Sequence, residues 1–158
     1  MIYIGIDPGK KGAIAAIETD WGGNINFVDV LPYSEDGYRE FLNERAAFRY
    51  SGSFRCCLEK VGAHPGEGVK SSFSFGENYG FIRGLLAGFQ IPYQTILPQR
   101  WKKEFGLGND KADSIEVCRR LFPDVSLKPT DRCQQDNDGM AEALLMAEYA
   151  RRKFRSAE

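Results

Sequence analysis

The chain has 158 residues, of which 42% are hydrophobic and 27% charged, which suits one domain over 1–158 with a core large enough to need no staples. A net charge of −1 and a pI near 5.9 speak against binding nucleic acid through bulk charge. No apolar run approaches the ~20 residues that span a bilayer, so no membrane partner is expected.

In chain order, the β-branched run MIYIGI, the turn residues DPGKKG and the run AIAAIE predict a strand, a tight loop and a second strand. The opening MIYIGID lacks the charged-then-apolar layout of a signal peptide. INFVDVL, after the turn-forming WGGN, predicts a third strand. Phe41, Leu42 and Ala46 share one side of a predicted helix over 38–50. FRCCLEKV is a short continuous apolar run ending in an acid, as expected of a central buried strand. The glycine-rich GAHPGEG leads to a helix over about 72–89, and IPYQTIL is a strand stopped by Pro98. Helices are then predicted over 99–105, 111–122 and 137–154. A three-strand meander followed by alternating helix and strand predicts an α/β fold, a mixed five-stranded sheet flanked by helices. Cys56, Cys57, Cys118 and Cys133 form no C-x-x-C pair, so reduced thiols in a cytoplasmic compartment are expected, with a processed organellar chain as the alternative.

Four acids stand where chemistry gathers. Asp7 ends the first strand and Glu59 the central one; if those strands are neighbours, both carboxylates project at the same level beyond the sheet. At about 100° per residue, Asp138 and Glu142 fall about 40° apart on the last helix, on the face continued by Leu145, Met146 and Tyr149. Carboxylates heading a buried stripe are costly unless compensated. Capping explains acids at a helix start but not an inward-facing Glu142. Asp7, Glu59, Asp138 and Glu142 together would make an all-oxygen site for Mg²⁺, or Mn²⁺ in its place. A pair of ions ~3.5–4 Å apart in such a site activates water and stabilises the leaving oxygen of a phosphodiester. Asp136 falls on the other side of the helix, about 200° from Asp138, and is the weaker candidate for the fourth position. Basic residues cluster at Arg100, Lys102 and Lys103, a local phosphate-binding surface, and again at Arg151, Arg152, Lys153 and Arg155, read as a solvated helix face.

Taken together, GIDPGKKGAIA, LEKVGAHPGEGVKSSFSFGENYGFIRGLLAG, PQRWKKEFGL and DGMAEALLMAEYAR, in that order, resemble the RuvC-like Holliday junction resolvases of the ribonuclease H-like superfamily. The resemblance covers nearly the whole chain and is strongest to the phage, prophage and chloroplast branch. GIDPG alone is weak, since sugar-kinase and actin-like ATPases also open with an acid and glycines. The resemblance implies a structure-selective endonuclease that nicks four-way DNA junctions in pairs as a homodimer, with no nucleotide cofactor. Its metal-binding acids map to Asp7, Glu59 and Glu142. The D-x-x-x-E spacing assigns Asp138 as the fourth, whereas the D-x-x-D pair of bacterial members would put an acid at Gly139. Lys111 resembles a family lysine that approaches the scissile phosphate.

Lys11 and Lys70 are candidate DNA contacts, and His64, the single histidine, reads as a DNA contact or an incidental loop residue ahead of a general base. Phe73 and Phe75 are candidates for stacking on opened bases, although a spacing of two puts one of them in the core. Trp101 is expected in the core. On the helix after Glu59, Tyr79, Ile82, Leu85, Leu86 and Phe89 form an apolar stripe beside Gly80, Gly84 and Gly88. By itself that pattern reads as packing on its own sheet; with the resemblance it reads as the dimer contact. A non-catalytic junction-binding protein and another ribonuclease H-like nuclease, such as one processing ribosomal RNA, are the alternative functions.

Overall fold

The computed structural model describes residues 1–47, 53–62, 66, 68–108 and 110–154, with the side chain of Lys111 outside that description. Its elements are β1 (Ile2–Asp7), β2 (Ala13–Thr19), β3 (Ile25–Pro32), α1 (Glu35–Ala47), β4 (Phe54–Glu59), α2 (Val69–Gly88), β5 (Tyr93–Ile96), α3 (Pro98–Glu104), α4 (Lys111–Leu121) and α5 (Asp138–Lys153). The five strands lie in the order β3-β2-β1-β4-β5. The pairs β1–β2 and β2–β3 are antiparallel, whereas β1–β4 and β4–β5 are parallel, so the meander and the mixed sheet are both present.

Alternation along the strands sorts side chains into two layers. Ile4, Ile6, Ile14 and Leu58 pack with Tyr38, Phe41 and Leu42 of α1 and with Ile82 and Leu86 of α2. On the opposite face Tyr3, Ala15, Ile17 and Cys57 pack with Trp101, Cys118 and the apolar residues of α5. Helices therefore cover both faces. All four cysteines are free thiols, and burial pushes Cys57 and Cys118 up to about 12, which keeps them protonated packing residues.

Two helices begin ahead of their apolar periodicity. α1 starts at Glu35 because Ser34 caps it, its Oγ accepting from Gly37 N at 3.1 Å. The expected extension over 48–50 lies outside the described residues. α2 starts at Val69, three positions before the expected start at Ser72.

α5 is the central helix. From Gly139 to Ala150 every residue is buried except Glu142, which is partly buried. Gly5 sets its height over β1: a Cβ there would run into the carbonyl oxygen of Ala143 and the amide nitrogen of Ala147. The basic end of α5 is not a loose solvated face. Arg151 reaches Glu148 at 2.6 and 2.9 Å, Arg152 reaches it at 2.9 Å, and Lys153 pairs with Glu104 of α3 at 2.7 Å. Arg155 lies outside the described residues, among which no helix is long and apolar enough to cross a membrane.

Candidate active site

The parallel register Ile6↔Leu58 makes β1 and β4 neighbours and sets Asp7 and Glu59 side by side, one residue further along each strand. Alternation turns both toward the face that α5 covers. α5 then delivers Asp138 and Glu142 to the same end of the sheet. The helix-capping role falls to Asn137, whose Oδ1 accepts from Met140 N at 2.9 Å. Asp138 is thus spared from that role. Asp7, Asp138 and Glu142 line an open cleft of about 480 Å³ together with Lys11, Phe75 and Lys102.

Asp136 does not belong to this group. Its Oδ2 pairs with Arg119 of α4 at 2.6 Å and its side chain is 8% exposed, so it anchors the segment before α5. Gly139 shows why an acid cannot occupy that position: a Cβ would run into the carbonyl oxygen of Lys11 and stand 3.1 Å from Asp7 Oδ2. The loop DPGKKG lies directly over the start of α5, which leaves room for an acid only to either side.

Neighbouring helices grip two of the four carboxylates. The indole Nε1 of fully buried Trp101 donates to Glu59 Oε1 at 2.9 Å. The Lys102 ammonium meets Glu142 Oε1 at 2.9 Å, and Ser114 Oγ donates to the same oxygen at 3.3 Å. Burial raises the Asp7 carboxyl well above the usual range, reinforced by the charges of Glu59, Glu142 and Asp138 and opposed by Lys102. Glu59 is raised by burial and by Glu142, while the Trp101 hydrogen bond and Lys102 pull it back. Lys102 is thus the cation that acts on several members of the cluster at once.

The donor chemistry fits a hard divalent ion: four carboxylates, mutually repelling, with the Lys102 ammonium standing among them. Among the described residues no group of three or more His, Cys, Asp or Glu side chains is arranged to hold a metal ion as they stand. Glu59 is turned to Trp101 and Glu142 to Lys102, so two of the four carboxylates are committed to α3.

Other expected residues divide between rim and surface. Lys11 lines the cleft, Lys70 is exposed at the start of α2, and Arg100 and Lys103 are exposed on α3. Lys102 departs from the expected surface patch by turning inward to Glu142. The expectation that one of Phe73 and Phe75 enters the core is corrected: Phe73 is 66% exposed, and Phe75 is half-buried against the cleft loop. A Cβ at Gly9 would come within 3.3 Å of the Phe75 ring, and Gly9 has φ +123°, so only glycine fits beneath that aromatic. Lys111 opens α4 with its side chain outside the description, as is all of His64.

Sequence reasoning missed three partners. Trp101 and Ser114 hold Glu59 and Glu142, and Asn78 of α2 accepts from Gly9 N at 2.8 Å. A tryptophan in the core needs a partner for its N–H, which was the available signal for the first. Nothing in the local pattern marks the other two.

No protein-family model and no curated protein matches the sequence. Solved structures do match the fold. Thermus thermophilus RuvC in complex with Holliday junction substrate aligns over 93% of this chain and 90% of that one, with a TM-score of 0.59 and 14% identity. Thermus thermophilus RuvC alone aligns over 96% of both chains, with a TM-score of 0.58 and 20% identity. The fowlpox virus Holliday junction resolvase aligns over 96% of this chain and 99% of that one, at 0.57 and 17%. At these identities the likeness is one of fold, and the fold is that of RuvC, of ribonuclease H-like type.

Proposed function

We propose that this chain is a metal-dependent endonuclease that resolves four-way DNA junctions, working as a homodimer. The observation that carries the proposal is the coupled carboxylate cluster at the ends of β1 and β4 and the head of α5, on the fold of junction resolvases. Asp7, Glu59, Asp138 and Glu142 would hold Mg²⁺ or Mn²⁺. Bound there, paired ions supply an activated water and stabilise the leaving oxygen of a phosphodiester. The chain's own part is placement. Lys11 and Lys102 at the cleft offer positive charge to a phosphate, and Phe73 and Phe75 at the head of α2 present aromatic faces to unpaired bases. The D-x-x-x-E spacing of Asp138 and Glu142 supports a reading within the phage and chloroplast branch of resolvases.

The dimer proposal rests on α2. Ile82 and Leu86 pack inward, whereas nothing lies within 4 Å of a Cβ built at Gly76, Gly80, Gly84 or Gly88. The stripe residues Tyr79, Leu85 and Phe89 pack against this chain's own core, so it is the glycine face, open beyond its own sheet, that supports a second helix. A two-fold pair would set two identical sites on a two-fold substrate.

The deciding experiment incubates the protein with a four-way junction, a duplex and an RNA–DNA hybrid, with and without Mg²⁺. Paired symmetric nicks in the junction alone, only with Mg²⁺, are expected. Binding without cleavage would identify a junction-binding protein, and preference for the hybrid another ribonuclease H-like nuclease. Gly84→Arg, which fills the groove without entering the core, should give monomers in sedimentation velocity. A dimer that survives it would place the interface elsewhere.

A further inference from the structure

α3 is a seven-residue helix, yet two consecutive side chains on it grip two carboxylates that come from different parts of the fold. Trp101 is fully buried and spends its only donor on Glu59 Oε1, at the end of β4. Lys102 spends its charge on Glu142 Oε1, in the first turns of α5. The Lys102 ammonium also lies 5.2 Å from the centroid of the Trp101 ring, so the two gripping groups brace one another. Pro98 opens the helix, and Leu107 N returns to Lys102 O at 3.0 Å to close it.

The two grips differ in kind. An indole N–H is neutral and occupies one carboxylate oxygen, leaving the second available to an ion. An ammonium compensates charge and therefore competes with any cation drawn to the same oxygens. The Lys102 side chain is 33% exposed, so it has an exit toward the cleft, whereas the indole has none. Lys102 also lowers the carboxyls of Asp7 and Glu59, so its charge serves the cluster and not Glu142 alone.

We propose that α3 is a loading clamp for the acidic cluster: Trp101 holds Glu59 permanently by one oxygen, and Lys102 neutralises Glu142 until an entering divalent cation displaces its ammonium. This rests on the metal-dependent reading given above. Trp101 is a positioning residue, acting through Glu59. Lys102 is a built-in counter-ion that keeps the metal-free cluster from repelling itself apart. Displaced, it points a free positive charge into the cleft that Lys11 also lines.

The test is Mn²⁺ binding followed by electron paramagnetic resonance, which needs no turnover. Lys102→Met should bind Mn²⁺ roughly tenfold more tightly because the competing ammonium is gone, and Lys102→Arg should restore the weaker wild-type affinity. Trp101→Phe should bind roughly tenfold more weakly, the usual scale for losing a hydrogen bond that orients a ligand. Should Trp101→Phe fail to fold, Trp21→Phe leaves Trp101 as the sole tryptophan; Trp21 is 99% exposed and its loss harmless. The emission of Trp101 should then shift when Mg²⁺ is added. Lys102→Met binding Mn²⁺ no more tightly than wild type, or a Trp101 emission indifferent to Mg²⁺, overturns the clamp. Asp7→Asn separates the two levels of inference. If it abolishes Mn²⁺ binding while both α3 variants behave as wild type, only the clamp fails; if wild type binds no Mn²⁺, the metal reading itself fails.

Discussion

Glu142 and Glu148 lie on one helix, less than two turns apart, and negative charge is treated in opposite ways at the two positions. Glu148 is 3% exposed and takes three hydrogen bonds from Arg151 and Arg152, its own neighbours one turn on. Among the described residues Glu142 meets the Lys102 ammonium and the Ser114 hydroxyl, both from other elements, and that ammonium also serves Asp7 and Glu59. The first arrangement is closed and local, and it ties the end of α5 down. The second shares the Lys102 ammonium among Asp7, Glu59 and Glu142, beside an open cleft that Asp7 and Glu142 line. The contrast separates an acid held as architecture from the acids to which the proposed chemistry is assigned.

The sharpest way to break the contrast is to neutralise both kinds. Asp7→Asn, Glu59→Gln and Glu142→Gln should each lower junction cleavage by about 1000-fold or more while folding and junction binding persist, because one lost anionic ligand removes several kcal/mol of transition-state stabilisation. Asp138→Asn should be severely impaired and Asp136→Asn active, since Asp136 is spent on Arg119. Gel assays of nicking check all five. Glu148→Gln should do the reverse, leaving cleavage per folded molecule near wild type and lowering stability by about 2 kcal/mol in urea titration. Equal effects at Glu142 and Glu148 would erase the distinction.

A pH series sharpens it further. Asp7 and Glu59 are raised above their ordinary values, so the folded protein holds those protons more tightly than the unfolded chain. The stability from this source is fully present below a pH of about 4 and is lost as pH rises through the raised values. The Tm of metal-free wild type, measured against Asp7→Asn, should therefore fall from mildly acidic to neutral pH. Saturating Mg²⁺ should flatten the difference. A smaller effect is expected at the surface. Junction affinity should weaken with added salt, and Lys103→Glu should weaken it by a few-fold more than Lys153→Glu, because Lys153 is already paired with Glu104. Affinity indifferent to salt would remove the basic surface of α3 from the interface.

The strands and the acids were legible in the sequence because each is a local pattern. A β-branched run that ends in an acid reads the same before and after folding, as at Asp7 and Glu59. The helical spacing of Asp138 and Glu142 likewise survives into α5. What could not be read was direction. Lys102 sits between Arg100 and Lys103 in sequence and looks like one of three surface charges, yet the turn of a short helix sends it to Glu142. Phe75 has the apolarity of a core residue, but the close approach of Gly9 places it at the cleft. Asn78 is one polar residue in a glycine-rich helix, and its partner is a backbone N–H that only the tertiary fold brings near.

Four outward glycines also make α2 the least self-sufficient helix of the fold. Each costs ~1 kcal/mol of helix propensity relative to alanine, so its hydrogen-bonded turns open cheaply once Ile82 and Leu86 let go of the sheet. Amide exchange should therefore run through α2 by local opening while α5, buried on all sides, exchanges only on global unfolding. Asn78 carries this into the site, because the Gly9 N–H that it holds lies two residues from Asp7. Each opening of α2 releases the loop over the carboxylates, and whatever clasps the helix from outside also steadies the loop. Exchange of the Gly9 amide is therefore expected to follow that of α2 while the sheet amides stay protected.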